Sequence, residues 1–212
     1  MGATLLSTST IGIVSAGTTI TKAITVEADC TAIIVHIGYY QGAGLGDIIT
    51  SVTFGGVALT KIGMKFHDTN YGSYLWMLLN PAPGTANVVM TASGNVYAGL
   101  YVTNWKGVTG SKTAVGANAN ATSLSLSVDD STAEDAVVVA LVHSTPASDN
   151  ITNNTELADG QIGATNVCVF AAGGVGGGAM PMVMSGAGSV IRAAVGITVI
   201  SGSGGQDPTI IM

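Results

Sequence analysis

Residues 122–128 read TSLSLSV, and this alternation limits what the chain can become. A β-strand turns successive side chains to opposite faces, so Leu124, Leu126 and Val128 share one face and Ser123, Ser125 and Ser127 the other. Such a segment is a half-buried strand with one wet face. The same period recurs along the chain. Residues 18–27 place Ile20, Ile24 and Val26 on one face, while 31–40 (TAIIVHIGYY) and 73–79 (SYLWMLL) are apolar on both, as central strands are. Residues 49–54 and 57–65 flank Gly55-Gly56, a two-residue hairpin turn. The turn PAPGT leads into strands at 86–92 and 96–105, and 136–143 and 189–200 complete the strong set. No window keeps a helical stripe, and Thr, Val and Gly are frequent throughout. The predicted fold is therefore all-β: an antiparallel β-sandwich, jelly-roll-like, with little or no helix. No linker or long repeat divides the 212 residues. The expected layout is one domain over 1–212, with an extended N-terminal segment (about 1–17) and a C-terminal tail (about 201–212).

Charge is scarce. Only 8% of residues are charged, against roughly 25% in ordinary soluble domains. Ser, Thr, Asn, Ala and 30 Gly fill the gap. A surface so thinly ionised is either a hydroxyl-rich skin or one covered by other subunits, and the second reading predicts a homo-oligomer. The net charge is −6 and the six cations are scattered, which argues against direct nucleic-acid binding.

Familiar reaction motifs fail on inspection. Gly174-x-Gly176-x-x-Ala179 fits a loose dinucleotide pattern, but Pro181 and a Val/Met run stand where a helix is needed. GVTGSKT at 107–113 approaches a P-loop, yet Ser111 stands where glycine is required before Lys112. There is no Gly-x-Ser-x-Gly elbow and no cysteine pair at zinc spacing. Cys30 and Cys168 read as buried thiols, with a disulfide between them left open. His36, mid-strand among Ile and Val, reads as a core or interface histidine. The acids Asp129, Asp130, Glu134 and Asp135 match no EF-hand and read as solvated. A glycoside hydrolase would need two facing carboxylates, and Asp47 and Asp68 are the mid-chain candidates. The expectation is no enzyme, no catalytic residue, no cofactor and no metal.

The stretch FAAGGVGGGAMPMVM (170–184) carries no charge. Its glycines and Pro181 make a poor membrane helix, and no basic flank marks a cytoplasmic side. A strand VCVFAA, a glycine loop and a strand PMVM fit better. A loop this apolar is costly to leave in water. Val175, Met180, Met182, Val183 and Met184 are therefore expected at a subunit contact, where methionine adapts its shape. Residues 144–165 form a long polar stretch, with a short strand expected near Ile151.

SVTFGGVALTKIG, SYLWMLLNPAPGTANVVMTASGN and AGLYVTNWKGV, within residues 49–109, together resemble β-sandwich modules of tailed-bacteriophage virion proteins and related bacterial surface proteins. The resemblance implies a virion structural role of the capsid-decoration type: a homo-oligomer, trimer favoured, on the major capsid protein. It would assemble in a host cytoplasm, consistent with an N-terminus that lacks the basic region of a signal peptide. The competing expectation is a tail or fibre component that binds a receptor glycan, with Tyr39, Tyr40, Tyr71 and the 144–165 stretch gathered at one end.

Overall fold

A computed structural model describes residues 2–41, 46–67, 70–128, 135–143, 150–152, 155–158, 161–162, 167–175 and 180–202; the side chains of 10–16 and 143–192 lie outside that description. The secondary structure is all strand, in two antiparallel sheets. The first sheet is built on β7 (Gly84–Lys106), which pairs with β1 (Thr4–Val26) toward both of its ends, with a break in register between Thr91 and Val96. Against β7 also lie β2 (Ala32–Tyr40) and, further along, β3 (Ile49–Phe54). β6 (Tyr71–Leu79) flanks β2, and β5 (Thr60–His67) flanks β6. β3 turns back into β4 (Val57–Ala58) through Gly55 and Gly56, whose φ angles of 56° and 84° are the left-handed pair that a tight hairpin requires.

In the second sheet β15 (Met180–Ser201) is the spine. Along one side it pairs with β8 (Val108–Ser111) and β9 (Val115–Val128). Along the other lie β10 (Ala136–His143) and β11 (Asn150–Thr152). β10 then pairs with β14 (Val167–Val175), which carries the short β12 (Thr155–Ala158) and β13 (Gln161–Ile162).

Burial follows the sequence alternation. In β9, Leu124, Leu126 and Val128 are buried while Ser123, Ser125 and Ser127 are exposed. β2 is buried on both faces from Ala32 to Tyr39, because each face meets a different core. Ile33, Val35, Ile37 and Tyr39 point into the hollow of the first sheet, which curls around Ile20, Val52, Tyr74 and Met90. Ala32 and Ile34 face the second sheet, and with Leu75 and Trp105 they pack on Val138, Ala140, Val195 and Ile197. Burying each such aliphatic side chain contributes about 1.5–3 kcal/mol. A third cluster joins Leu124, Leu126 and Val128 to Val137, Val139 and Leu141. It exists because the β9–β15 ribbon breaks register between Ser185 and Val190 and folds back on its own sheet. Gly196 lies under that fold: a Cβ there would sit 2.6 Å from Val128 Cγ2 and 2.8 Å from Leu126 Cδ2.

Candidate functional site

Polar groups gather at three places. The first lies between the sheets. Trp105 Nε1 donates to Thr103 Oγ1 at 2.8 Å, Thr103 Oγ1 lies 3.1 Å from His36 Nε2, and His36 Nδ1 lies 3.0 Å from the Val139 carbonyl. A carbonyl only accepts, so Nδ1 carries the ring proton and Nε2 accepts from the threonine hydroxyl. The imidazole is fully buried, and desolvation drives its pKa down to about 4 despite the favourable carbonyl contact. This is a neutral histidine that pins one sheet to the other, as the sequence reading of His36 as a core histidine expects.

The second place closes the far side of the first core. Lys61 Nζ contacts both Asp47 carboxylate oxygens, at 2.6 and 2.7 Å, and lies 5.4 and 5.2 Å from the ring centroids of Tyr74 and Trp76. Tyr74 Oη donates to Asp47 Oδ1 at 3.2 Å and accepts from the Ile48 backbone N–H at 3.1 Å. Tyr39 Oη donates to the Gly46 carbonyl at 2.7 Å. Burial pushes both phenols well above the usual tyrosine range, so both remain protonated donors. The cluster anchors the chain where it enters β3. Asp47 is thus held by a cation and a phenol, and Asp68 lies outside the described residues.

The third place is a rank of tyrosines. The register sets Tyr40 directly between Tyr71 on β6 and Tyr97 on β7. Ring centroids stand 4.9 Å apart for Tyr40–Tyr71 and 6.0 Å for Tyr40–Tyr97, with planes tilted 36° and 30°. Rings one strand spacing apart lean face on face, so the rank presents mainly edges and hydroxyls to its surroundings. Tyr101 and Val142 support it from the layer below. Of the tyrosines expected together, Tyr40 and Tyr71 do meet. Tyr39 does not: it is buried in the first core against Phe66 and Tyr74. Adjacent strand residues face opposite ways, and the reading that grouped Tyr39 with Tyr40 overlooked this. Tyr97 was missed, since only the β2–β7 register brings it there.

The glycine-rich stretch folds as strands on either side of 176–179, which are outside the described residues. Val175 pairs with Ala136. Met180, Met182 and Met184 pair with Val128, Leu126 and Leu124, whose side chains are buried, and Val183 pairs with Ser125, which is exposed. The side chains of Val175, Met180, Met182, Val183 and Met184 themselves lie outside the described residues.

Asp135 is buried and caps the end of β15, accepting from the Ser201 backbone N–H at 2.8 Å and from its hydroxyl at 3.1 Å. The other three acids of its cluster lie outside the described residues. Cys30 is a free, buried thiol that donates to the Ala32 carbonyl at 3.1 Å, and burial raises its pKa. Among the described residues no group of three or more His, Cys, Asp or Glu side chains is placed to hold a metal ion.

The fold and these clusters define an antiparallel β-sandwich with polar fasteners between and beneath its sheets. Comparison with protein-family models, with curated proteins and with solved structures gives no match.

Proposed function

We propose that this chain is a virion structural protein: a homo-oligomeric β-sandwich that decorates the outer shell of a phage head by contact with the major capsid protein. The observation that carries the reading is the surface. It covers 8748 Å², and the whole chain holds only six basic and twelve acidic side chains, about one charge per 500 Å² even if all were exposed. Its described outer faces are hydroxyl- and amide-rich: Thr19, Thr21 and Thr25 on β1, Thr85 and Asn87 on β7, and the serines of β9 are all exposed. Docking such a face requires little desolvation of ions, so modest apolar burial suffices for association. The subunit contact in this proposal runs along the β9–β15 ribbon, where Val183 pairs with Ser125. Light scattering on the purified chain, with and without expanded capsids, tests it. The expected result is a stable oligomer that co-sediments with capsids; a persistent monomer that ignores them sinks the reading.

A glycan-binding tail or fibre component is the second reading, supported by the half-buried Tyr40, Tyr71 and Tyr97. Sugar recognition by aromatic residues uses open ring faces, and here the inner faces are occupied by each other. Titration with host surface polysaccharide, monitored by tyrosine fluorescence, separates the two readings: a saturable change in Tyr emission favours the second.

A further inference from the structure

The six tyrosines of the chain fall into two environments. Tyr39, Tyr74 and Tyr101 are buried. Tyr71, Tyr40 and Tyr97 are half-buried and stand in one rank, as directly opposed residues on β6, β2 and β7. The Tyr40 and Tyr71 ring centroids are 4.9 Å apart, about one strand spacing, and Tyr97 stands further off, 6.0 Å from Tyr40. Tyr101, Val142 and Ala193 pack beneath the rank, which leaves its rings little room to turn apart. Burial, and after it the neighbouring Tyr40 hydroxyl, raise the Tyr71 phenol above the usual tyrosine range, so it stands beside Tyr40 with its proton on.

We propose that Tyr40 and Tyr71 form an oxidative cross-linking site, at which a small one-electron oxidant joins the two rings and staples β2 to β6. Each phenol gives one electron to the oxidant and its hydroxyl proton to water. The unpaired electron of a phenoxyl spreads to the ring carbons beside the oxygen, and one such carbon from each ring forms the new C–C bond. Each of these carbons then passes its hydrogen to its own ring oxygen, which restores both phenols. The pair has lost two electrons and two protons; persulfate, as terminal oxidant, takes both electrons and becomes two sulfates. Proximity alone does not single out this pair. Tyr39 and Tyr74 stand 5.7 Å apart at a similar tilt of 33°, but both are sealed in the first core, and their hydroxyls donate to the Gly46 carbonyl and the Asp47 carboxylate. Tyr40 and Tyr71 combine a close partner with access to oxidant and water.

The test is photo-oxidation of the full chain at high dilution, with a ruthenium tris-bipyridyl complex and persulfate. The expected product is a monomer lighter by two hydrogen atoms, with dityrosine fluorescence, whose digest contains the Tyr40 peptide joined to the Tyr71 peptide. Tyr40→Phe and Tyr71→Phe are each expected to lower the yield at least about tenfold, and Tyr97→Phe to leave it within about twofold. The new bond closes a loop over residues 41–70, so the product is expected to melt on the order of 5 °C above the unreacted chain. Absence of coupling overturns the proposal. So does a main link between any other pair, a product made chiefly of covalent dimers, or full yield from Tyr71→Phe with native circular dichroism. An unchanged melting temperature rejects the staple.

Discussion

A neutral histidine between two sheets makes stability depend on pH. The folded-state pKa of His36 is lowered from 6.5 to about 4, so between those values the unfolded chain binds the proton and the folded chain does not. Stability is full above about pH 6.5 and declines as pH falls toward 4, with a loss on the order of 3 kcal/mol. Urea midpoints measured from pH 7.5 to 4 check this, and a flat profile would show the ring to be solvated. Thr103 is the relay in the same chain of bonds. Thr103→Val keeps the shape but strands the Trp105 N–H and the His36 Nε2 atom, so a loss of about 2 kcal/mol is expected in the same assay. His36 was legible as a core residue because an isolated histidine among Ile and Val has little else to be. Its partners were not legible, since Thr103 and Val139 come from strands whose pairing no local pattern encodes.

Strands were legible where hydrophobic alternation is clean. Residues 136–143 are β10, and the short strand expected near Ile151 is β11. What local pattern missed is length and recruitment. Residues 86–92 and 96–105 read as two strands because Ser93-Gly94-Asn95 looks like a turn, yet β7 includes it. These residues bulge out of the ladder: between the Thr19–Thr91 and Gly17–Val96 pairs β7 carries more residues than β1, and the strand resumes beyond the bulge. The extended N-terminal segment expected over about 1–17 lies in β1 from Thr4 onward and supplies all of that strand's first half. Close approach between elements is tested at two glycines. A Cβ at Gly196 would collide with Val128 and Leu126, so Gly196→Ala should lift the folded ribbon and cost about 1–3 kcal/mol. Gly72 lies beneath the Tyr39 ring and 2.7 Å from Phe66 Cδ1 once a Cβ is added, and Gly72→Ala is expected to cost as much. Thermal melts of the two variants measure both; a change below about 0.5 kcal/mol would mean that the neighbours yield freely.

At the scale of the whole molecule, scarcity of charge was the most legible property, and it sets how the proposed assembly should respond to salt. Two of the few cations are already neutralised, Lys61 by Asp47 and Lys106 by Asp29. Contact through hydroxyl and apolar faces should be nearly indifferent to ionic strength, with an association constant that changes less than about threefold between about 0.05 and 1 M salt. Sedimentation equilibrium across that range checks it, and a steep salt dependence would point to ion pairs at the contact. The strand that pairs with Met180, Met182 and Met184 was not legible, because their partners on β9 lie more than fifty positions earlier in the chain. The marriage of β1 to β7 has one more consequence, for the chain as it is made. Thr4–Val26 leaves the ribosome well before Gly84–Lys106 has been synthesised, and until then its backbone lacks the partner that it has in the finished sheet. An unpaired strand of that length is a template for sibling chains on the same polysome until β7 is made.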